Sequence, residues 1–158
     1  MTAPFQSSFQ TFATDVPFPN ILDARFTALT VRDTTENEVT LLLEVDEPFA
    51  VEVAWSLSGT ALCSIGGTWW VALFIDDIDG VGTTSGQLGA TKQIPVNGCQ
   101  ADYATTFDIP ANTVSQGVYQ LVVTVNHTPE NDPNPNDLTE NVGFAQSQPI
   151  KFTQVVKE

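Results

Sequence analysis

Residues 117–126 read GVYQLVVTVN. Tyr119, Leu121, Val123 and Val125 stand two residues apart, and most of the residues between them are polar. A period of two is typical of a β-strand, because successive side chains of a strand project from opposite faces. The stretch therefore predicts a strand that turns one face toward a hydrophobic core.

The same alternation recurs along the chain, whereas helical periodicity is nearly absent. Clusters of Gly, Pro, Asn and Asp separate the alternating runs, as turns do. Seven further candidate strands lie at 24–32, 39–45, 51–57, 68–76, 87–96, 101–109 and 142–156. About eight strands at this spacing predict an all-β fold, an antiparallel β-sandwich.

The residues that precede 117–126 refine this prediction. Ile109 and Pro110 lead through a short polar segment to Gly117, two residues before Tyr119. The pattern resembles the tyrosine corner of immunoglobulin-like domains, whose hydroxyl bonds the backbone across the turn between strands E and F. The resemblance implies an immunoglobulin-like sandwich. Position 121, where antibody domains carry a cysteine, is Leu121, so no inter-sheet disulfide of the antibody type is expected.

The length of 158 residues fits one domain. Nothing in the sequence marks a second domain. We expect an extended aromatic arm over residues 1–22, followed by the sandwich over residues 23–158.

The chain carries 19 acidic and 5 basic residues, a formal net charge of −14. Such a charge repels phosphate backbones and anionic lipids, so nucleic acids and membrane surfaces are not expected partners. The negative charge either keeps the protein soluble or indicates that it binds a cation or a basic partner. The N-terminus shows no signal peptide, so the chain is either cytoplasmic or secreted with its leader removed. A surface rich in Thr, Asn and Gln favours an extracellular or cell-surface location.

The N-terminal arm is too apolar for a free tail. Its four aromatic residues are Phe5, Phe9, Phe12 and Phe18. Two interpretations remain open. The arm either lies along its own sandwich and caps a sheet edge, or it docks on a neighbouring subunit, where an added strand and aromatic anchors supply affinity.

The candidate strand at 68–76 (TWWVALFID) is apolar on both faces. Adjacent Trp69 and Trp70 must face opposite sides of the sheet, so one fills the core. The other face, with Trp70, Ala72 and Phe74, also requires a cover. The arm, a partner subunit or a sugar could provide it. Residues proposed to bind a partner are therefore Phe5, Phe9, Phe12, Phe18, Trp70 and Phe74.

The acidic residues Asp76, Asp77 and Asp79 precede Gly80 at the end of that strand. Carboxylates around a glycine turn can bind Ca²⁺, which takes six to eight oxygen ligands. The spacing does not match an EF-hand, and the alternative is a hairpin whose aspartates cap turns. An acidic, proline-rich loop at 128–140 could share the site if both loops lie at the same end of the sandwich.

We expect the two cysteines, Cys63 and Cys99, to form a disulfide; the alternative is a pair of thiols. No zinc or redox motif is present. The only histidine, His127, borders the proline-rich loop, where we expect it to be solvated. Because nucleophile elbows, phosphate-binding loops and dinucleotide fingerprints are absent, no enzymatic activity is expected.

These features predict a non-enzymatic structural or interaction protein that self-associates as a subunit of a larger assembly. The arm of one subunit would add to the sheet of the next, and head-to-tail contacts of this kind give rings or filaments. The alternative is a carbohydrate-binding module, with or without Ca²⁺, that uses one tryptophan and the loops at 76–80 and 130–140.

Overall fold

The computed structural model describes residues 5–11, 21–129 and 141–154. These segments contain one short 3₁₀ turn, Leu62–Ser64, and twelve strands. The strands are β1 (Gln6–Gln10), β2 (Asp23–Asp33), β3 (Glu38–Val39), β4 (Leu42–Glu44), β5 (Phe49–Ser58), β6 (Thr68–Asp77), β7 (Gly86–Gln87), β8 (Lys92–Pro95), β9 (Asp102–Ile109), β10 (Gly117–Thr128), β11 (Asn141–Gln146) and β12 (Ile150–Thr153).

Two sheets are formed. In the larger sheet of eight strands, β10 pairs with β6 on one side and with β11 and β12 on the other. Strands β7 and β8 extend the sheet beyond β6, β1 extends it beyond β11, and β4 runs parallel to β12. The smaller sheet has the order β3-β2-β5-β9 and is antiparallel throughout. The fold is an immunoglobulin-like β-sandwich, as predicted.

The core lies between the sheets and follows the alternation of the sequence. Tyr119, Leu121, Val123 and Val125 of β10 are fully buried. Trp69 of β6 is also fully buried, and its ring lies in a cluster with those of Trp55 and Tyr103, with centroids 5.8–5.9 Å apart. Clusters of offset or edge-to-face rings such as this one add to the stabilisation from burial alone.

Three predicted strands are interrupted. Between Val39 and Leu42 the chain crosses from the smaller sheet to the larger one, which divides 39–45 into β3 and β4. The stretch 87–96 divides at Gly89, whose φ of +71° lies in the left-handed region that favours glycine. The stretch 142–156 divides before β12, where Ser147 bonds Leu121 of β10 through both its backbone and its side chain.

The tyrosine corner is present in a modified form. Tyr119 is buried, and its hydroxyl lies 2.5 Å from Oγ of Ser115 in the connection between β9 and β10. Ser115 Oγ also accepts hydrogen bonds from Thr83 and Thr84. The hydroxyl thus bonds a side chain, not the backbone group that the resemblance implied. Through Ser115 it joins the β9–β10 turn to the connection after β6.

Cys63 and Cys99 form a disulfide bond. It ties the 3₁₀ turn between β5 and β6 to the connection between β8 and β9. The prediction of a bond between these residues is confirmed. In the segments that the structure describes, no helix has the length and apolar character of a membrane span.

Candidate interaction surface

The solvent-facing side of the larger sheet carries a set of side chains in cross-strand register. Residues directly opposite one another in antiparallel strands project from the same side of the sheet. Alternate residues of β6, β10 and β11 face away from the core. We call this set the outer face: Trp70, Ala72, Phe74, Val122, Thr124, Asn126, Val142, Phe144 and Gln146.

The outer face contains no charged side chain. Phe144 is 44% exposed and Val142 is 40% exposed, whereas Trp70 and Phe74 are half-buried. The indole N–H of Trp70 donates to Oγ1 of Thr128 at 2.7 Å, which orients the ring. The described strands form two sheets, with no third layer among them over this surface. As the pattern at 68–76 predicts, Trp69 fills the core and Trp70 lies outside with Ala72 and Phe74.

The solvent-facing side of the smaller sheet has the opposite character. Arg32 of β2 forms an ion pair with Glu52 of β5, with Nε and Oε1 3.1 Å apart. Arg25 of β2 and Asp102 of β9 lie opposite the same residue of β5. Arg32 of β2 and Asp108 of β9 are related in the same way. The outer face is thus a neutral, aromatic patch, whereas the exposed side of the smaller sheet is charged. On the larger sheet, charged residues lie beyond this patch, at Asp76 of β6, Lys151 of β12 and Glu44 of β4.

The arm lies at one edge of the larger sheet. Strand β1 pairs with β11, and Phe9 turns inward, with its ring centroid 5.3 Å from that of Phe26 and 6.2 Å from that of Trp69. Phe5 and Phe9 are partly buried against the core. For residues 6–10 this placement matches the interpretation in which the arm caps its own sheet. Phe12 and Phe18 lie outside the described residues.

Gly143 of β11 leaves the space that the ring of Phe9 occupies. It lies directly opposite Phe9, and a Cβ at this position would lie 2.6 Å from the ring of Phe9 and 3.0 Å from the ring of Phe26. The absence of a side chain thus creates the space in which the two rings meet. The sequence around Phe9 could not predict this contact, because the contact depends on Gly143, which lies more than a hundred residues away in the chain.

A cleft of about 300 Å³ opens at one end of the outer face. Its lining is neutral and consists of Phe5, Gln6, Gln120, Gln146, Ser147, Gln148 and Pro149. Gln146 Nε2 donates to Gln120 Oε1 at 2.6 Å, and Gln120 Nε2 donates to the carbonyl of Ser147 at 3.0 Å. Sequence reasoning missed this cleft because three separate chain segments build it.

Asp77, the last residue of β6, and Asp79, in the turn after it, accept hydrogen bonds from backbone groups. Oδ1 of Asp77 accepts from the amides of Asp79 and Gly80, both at 3.2 Å. Asp79 accepts from the amides of Val81 and Val118, and the hydrogen bond from Val81 is the main reason that the pKa of Asp79 lies below its usual value. These contacts match the turn-capping interpretation.

Of the predicted metal ligands, Asp77 and Asp79 therefore stabilise the turn after β6 through hydrogen bonds from its backbone, and Asp76 lies in β6 opposite Gln120. Across residues 5–11, 21–129 and 141–154, no group of three or more His, Cys, Asp or Glu side chains is placed to hold a metal ion. The acidic loop at 130–140, the predicted second source of ligands, lies outside the described residues.

His127 does not lie in solvent, so that expectation is wrong. Strand β10 continues to Thr128, which places His127 inward, opposite Trp69 on one side and Asn141 on the other. The side chain is 6% exposed. Its Nε2 bonds the carbonyl of Gly66 and its Nδ1 bonds the amide of Asn141, so both ring nitrogens are engaged.

Comparison with known proteins gives likenesses of fold only. No family model matches the chain, and no curated protein sequence matches it. Among solved structures, the CARDB domain of a Pyrococcus furiosus protein in complex with di-metal ions is 18% identical, covering 89% of this chain and 95% of that one, with a TM-score of 0.46.

Two β-glucosidases give likenesses of the same order. The enzyme from Erythrobacter marinus is 11% identical over 84% of this chain, with a TM-score of 0.48. The enzyme from Listeria innocua in complex with glucose is 12% identical over 87%, with a TM-score of 0.46. This chain spans only 16% and 17% of those two enzymes.

Proposed function

We propose that this chain is a non-enzymatic interaction domain that self-associates, with the outer face of one copy packed against the outer face of another. The proposal depends on the outer face, a continuous patch of nine uncharged residues on a strongly acidic chain. In a chain with a net charge of −14, contact through a charged surface would bring carboxylates together. The outer face avoids this repulsion.

The composition of the outer face supports the same function. Aromatic residues are enriched and charged residues depleted in the centres of protein interfaces. Trp70, Phe74 and Phe144 supply large apolar surfaces, and the hydrogen bond from Trp70 to Thr128 reduces the ordering that association requires. Burial of Phe144 and Val142, which are exposed here, would be the main hydrophobic gain.

A non-catalytic function agrees with the state of the only histidine. Both ring nitrogens of His127 are hydrogen-bonded within the fold, so neither is free to exchange a proton with a substrate. We also place the protein outside the cytoplasm, because a structural disulfide such as Cys63–Cys99 persists in oxidising compartments.

The experiment compares two variants that each add one carboxylate. Phe144→Glu changes the outer face, and Ala104→Glu changes an exposed position on the charged side of the smaller sheet. Sedimentation velocity from micromolar to millimolar concentration should show association of the wild-type chain. We expect Phe144→Glu to weaken it by at least roughly tenfold, about 1.4 kcal/mol, and Ala104→Glu to have little effect.

Two results would contradict this proposal. A wild-type chain that stays monomeric throughout the concentration range would exclude self-association. Equal weakening by both variants would show that total charge, not the outer face, controls association.

A second function, binding of a neutral carbohydrate, is favoured by the glutamine-lined cleft. Amide groups both donate and accept hydrogen bonds, as sugar hydroxyls do, and the ring of Phe5 adds an apolar wall. Calorimetry against neutral oligosaccharides, with and without Ca²⁺, tests it. We expect a saturable heat that is lost in Gln120→Ala and kept in Gln93→Ala, a change on β8 outside the cleft. No heat with any sugar would exclude this function.

A further inference from the structure

Among the described strands, β1 has a partner on one side only. Strand β1 ends the order of the larger sheet, and no described strand pairs with its outer side. The backbone groups of an edge strand are a template for pairing with another strand. Folded proteins usually block such edges with charged side chains, prolines or very short strands.

The other sheet edges of the described chain carry these blocking features. Strand β8 contains Lys92 and Pro95, and β9 contains Asp102 and Asp108. Strand β2, which β3 covers only at its last two residues, carries charged residues in its uncovered part. The short strands β3, β4 and β7 have two or three residues, and β3 and β4 each include a glutamate. Strand β1 (QSSFQ) has five residues with neither charge nor proline. It is thus the one described edge that the sequence leaves unblocked.

We propose that this edge pairs with β1 of a second copy, antiparallel about a two-fold axis at Ser8. This inference rests on the proposed self-association and adds a second contact to it. In this register all five residues pair: Ser8 lies opposite Ser8 of the other copy, and Gln6 opposite Gln10. The amide side chains of Gln6 and Gln10 project from the same side of the sheet and can hydrogen-bond across the strands.

A second copy can bind at this edge despite the charge of the chain, because the edge itself is uncharged. The chain is strongly acidic, so two copies can approach only through neutral surfaces without bringing like charges together. The edge of β1 is neutral, and it adjoins the neutral outer face. Three outward residues of β1 lie directly opposite outer-face residues of β11, in the pairs Gln6–Gln146, Ser8–Phe144 and Gln10–Val142. Pairing at this edge would join two eight-stranded sheets into one.

The two contacts together predict the form of the assembly. The edge of β1 and the outer face are different surfaces, and each contact relates two copies by its own two-fold axis. A chain with one such contact forms a dimer. A chain with two alternating contacts of this kind extends into a filament or closes into a ring.

Cysteine cross-linking tests the edge contact in the full-length chain. Both native cysteines are in the disulfide, so Ser8→Cys introduces a single free thiol. Opposite residues of antiparallel strands have Cβ atoms about 4.5–5.5 Å apart, within the reach of a disulfide after small adjustments. Under mild oxidation we expect Ser8→Cys to form a covalent dimer at least roughly tenfold faster than Ala104→Cys, an exposed control position.

The register is tested with a pair of variants. In the proposed register, position 6 of one copy lies opposite position 10 of the other, so two copies of Gln6→Cys place their thiols roughly 13 Å apart. Gln6→Cys alone should therefore cross-link slowly. A mixture of Gln6→Cys and Gln10→Cys should cross-link about as fast as Ser8→Cys. Circular dichroism of every variant before oxidation establishes that it is folded.

Three results would overturn the inference. Cross-linking of Ser8→Cys no faster than that of Ala104→Cys would exclude the edge contact, and the proposed function would stand if the wild-type chain still associates. If Gln6→Cys alone cross-linked as fast as Ser8→Cys, the links would arise from random collisions between arms and not from the proposed register. Positions 8 and 144 lie opposite each other in the pairing of β1 with β11. If chains become linked only in a mixture of Ser8→Cys and Phe144→Cys, then β1 of one chain pairs with β11 of a neighbour.

Discussion

Gly143 lies on β11 directly opposite Phe9 of β1. Glycine in the middle of a strand usually costs about 0.5–1 kcal/mol relative to alanine, because it loses more backbone freedom on folding. Here the missing side chain admits the rings of Phe9 and Phe26. At the scale of single residues, this contact holds the arm on its own sandwich.

We expect Gly143→Ala to lower the free energy of unfolding by about 1–3 kcal/mol, because the added methyl group displaces the ring of Phe9. The control is Gly98→Ala, a glycine in the β8–β9 connection at which a Cβ would meet no atom within 4 Å. Urea unfolding followed by tryptophan fluorescence provides the measurement. Similar stabilities of Gly143→Ala and Gly98→Ala would show that Phe9 is not held in the observed position.

At the scale of elements, alternation predicted the long strands well. Strands β2, β5, β6, β9 and β10 all lie where period-two patterns placed them. The pattern could not show the crossing between β3 and β4, because the same apolar side chain at Leu43 can fill the core from either sheet. Assignment of a strand to a sheet depends on partners distant in the chain.

The disulfide joins the connection between β5 and β6 to the connection between β8 and β9. Removing it in the double variant Cys63→Ser/Cys99→Ser should lower the free energy of unfolding by roughly 3–4 kcal/mol, because the unfolded chain regains the freedom of a loop with a sequence separation of 36. Urea unfolding of both proteins tests this value. A reducing agent should destabilise the wild-type chain and leave the double variant unchanged; an equal response of both would contradict the prediction.

At the scale of the whole molecule, net charge opposes every contact between two copies. Salt shortens the range of this repulsion, from about 30 Å at 0.01 M to about 8 Å at 0.15 M ionic strength. Association through neutral surfaces should therefore strengthen as salt is added. Sedimentation velocity at low and physiological salt measures the change, with Phe144→Glu as a weakly associating control. Weaker association at higher salt would indicate an interface that contains ion pairs.

The candidate surface was predictable only in part. Adjacent Trp69 and Trp70 were enough to show that β6 has two apolar faces, and the structure confirms which tryptophan is buried. The contributions of Val142, Phe144 and the glutamine cleft were not predictable. Those residues come from segments that meet only when β11 pairs with β10.

The sequence by itself determined the class of fold, the inward face of each long strand and the presence of a surplus apolar face on β6. These properties follow from the spacing of side chains along one strand, which is a local quantity. Only the tertiary structure decided that β1 pairs with β11, that His127 is buried and that the uncharged residues of β6, β10 and β11 form one patch. Each of these depends on which distant strands pair and in what register. The hydrogen bonds between strands are formed by backbone groups that every residue except proline shares, so the sequence of one strand does not identify its partner.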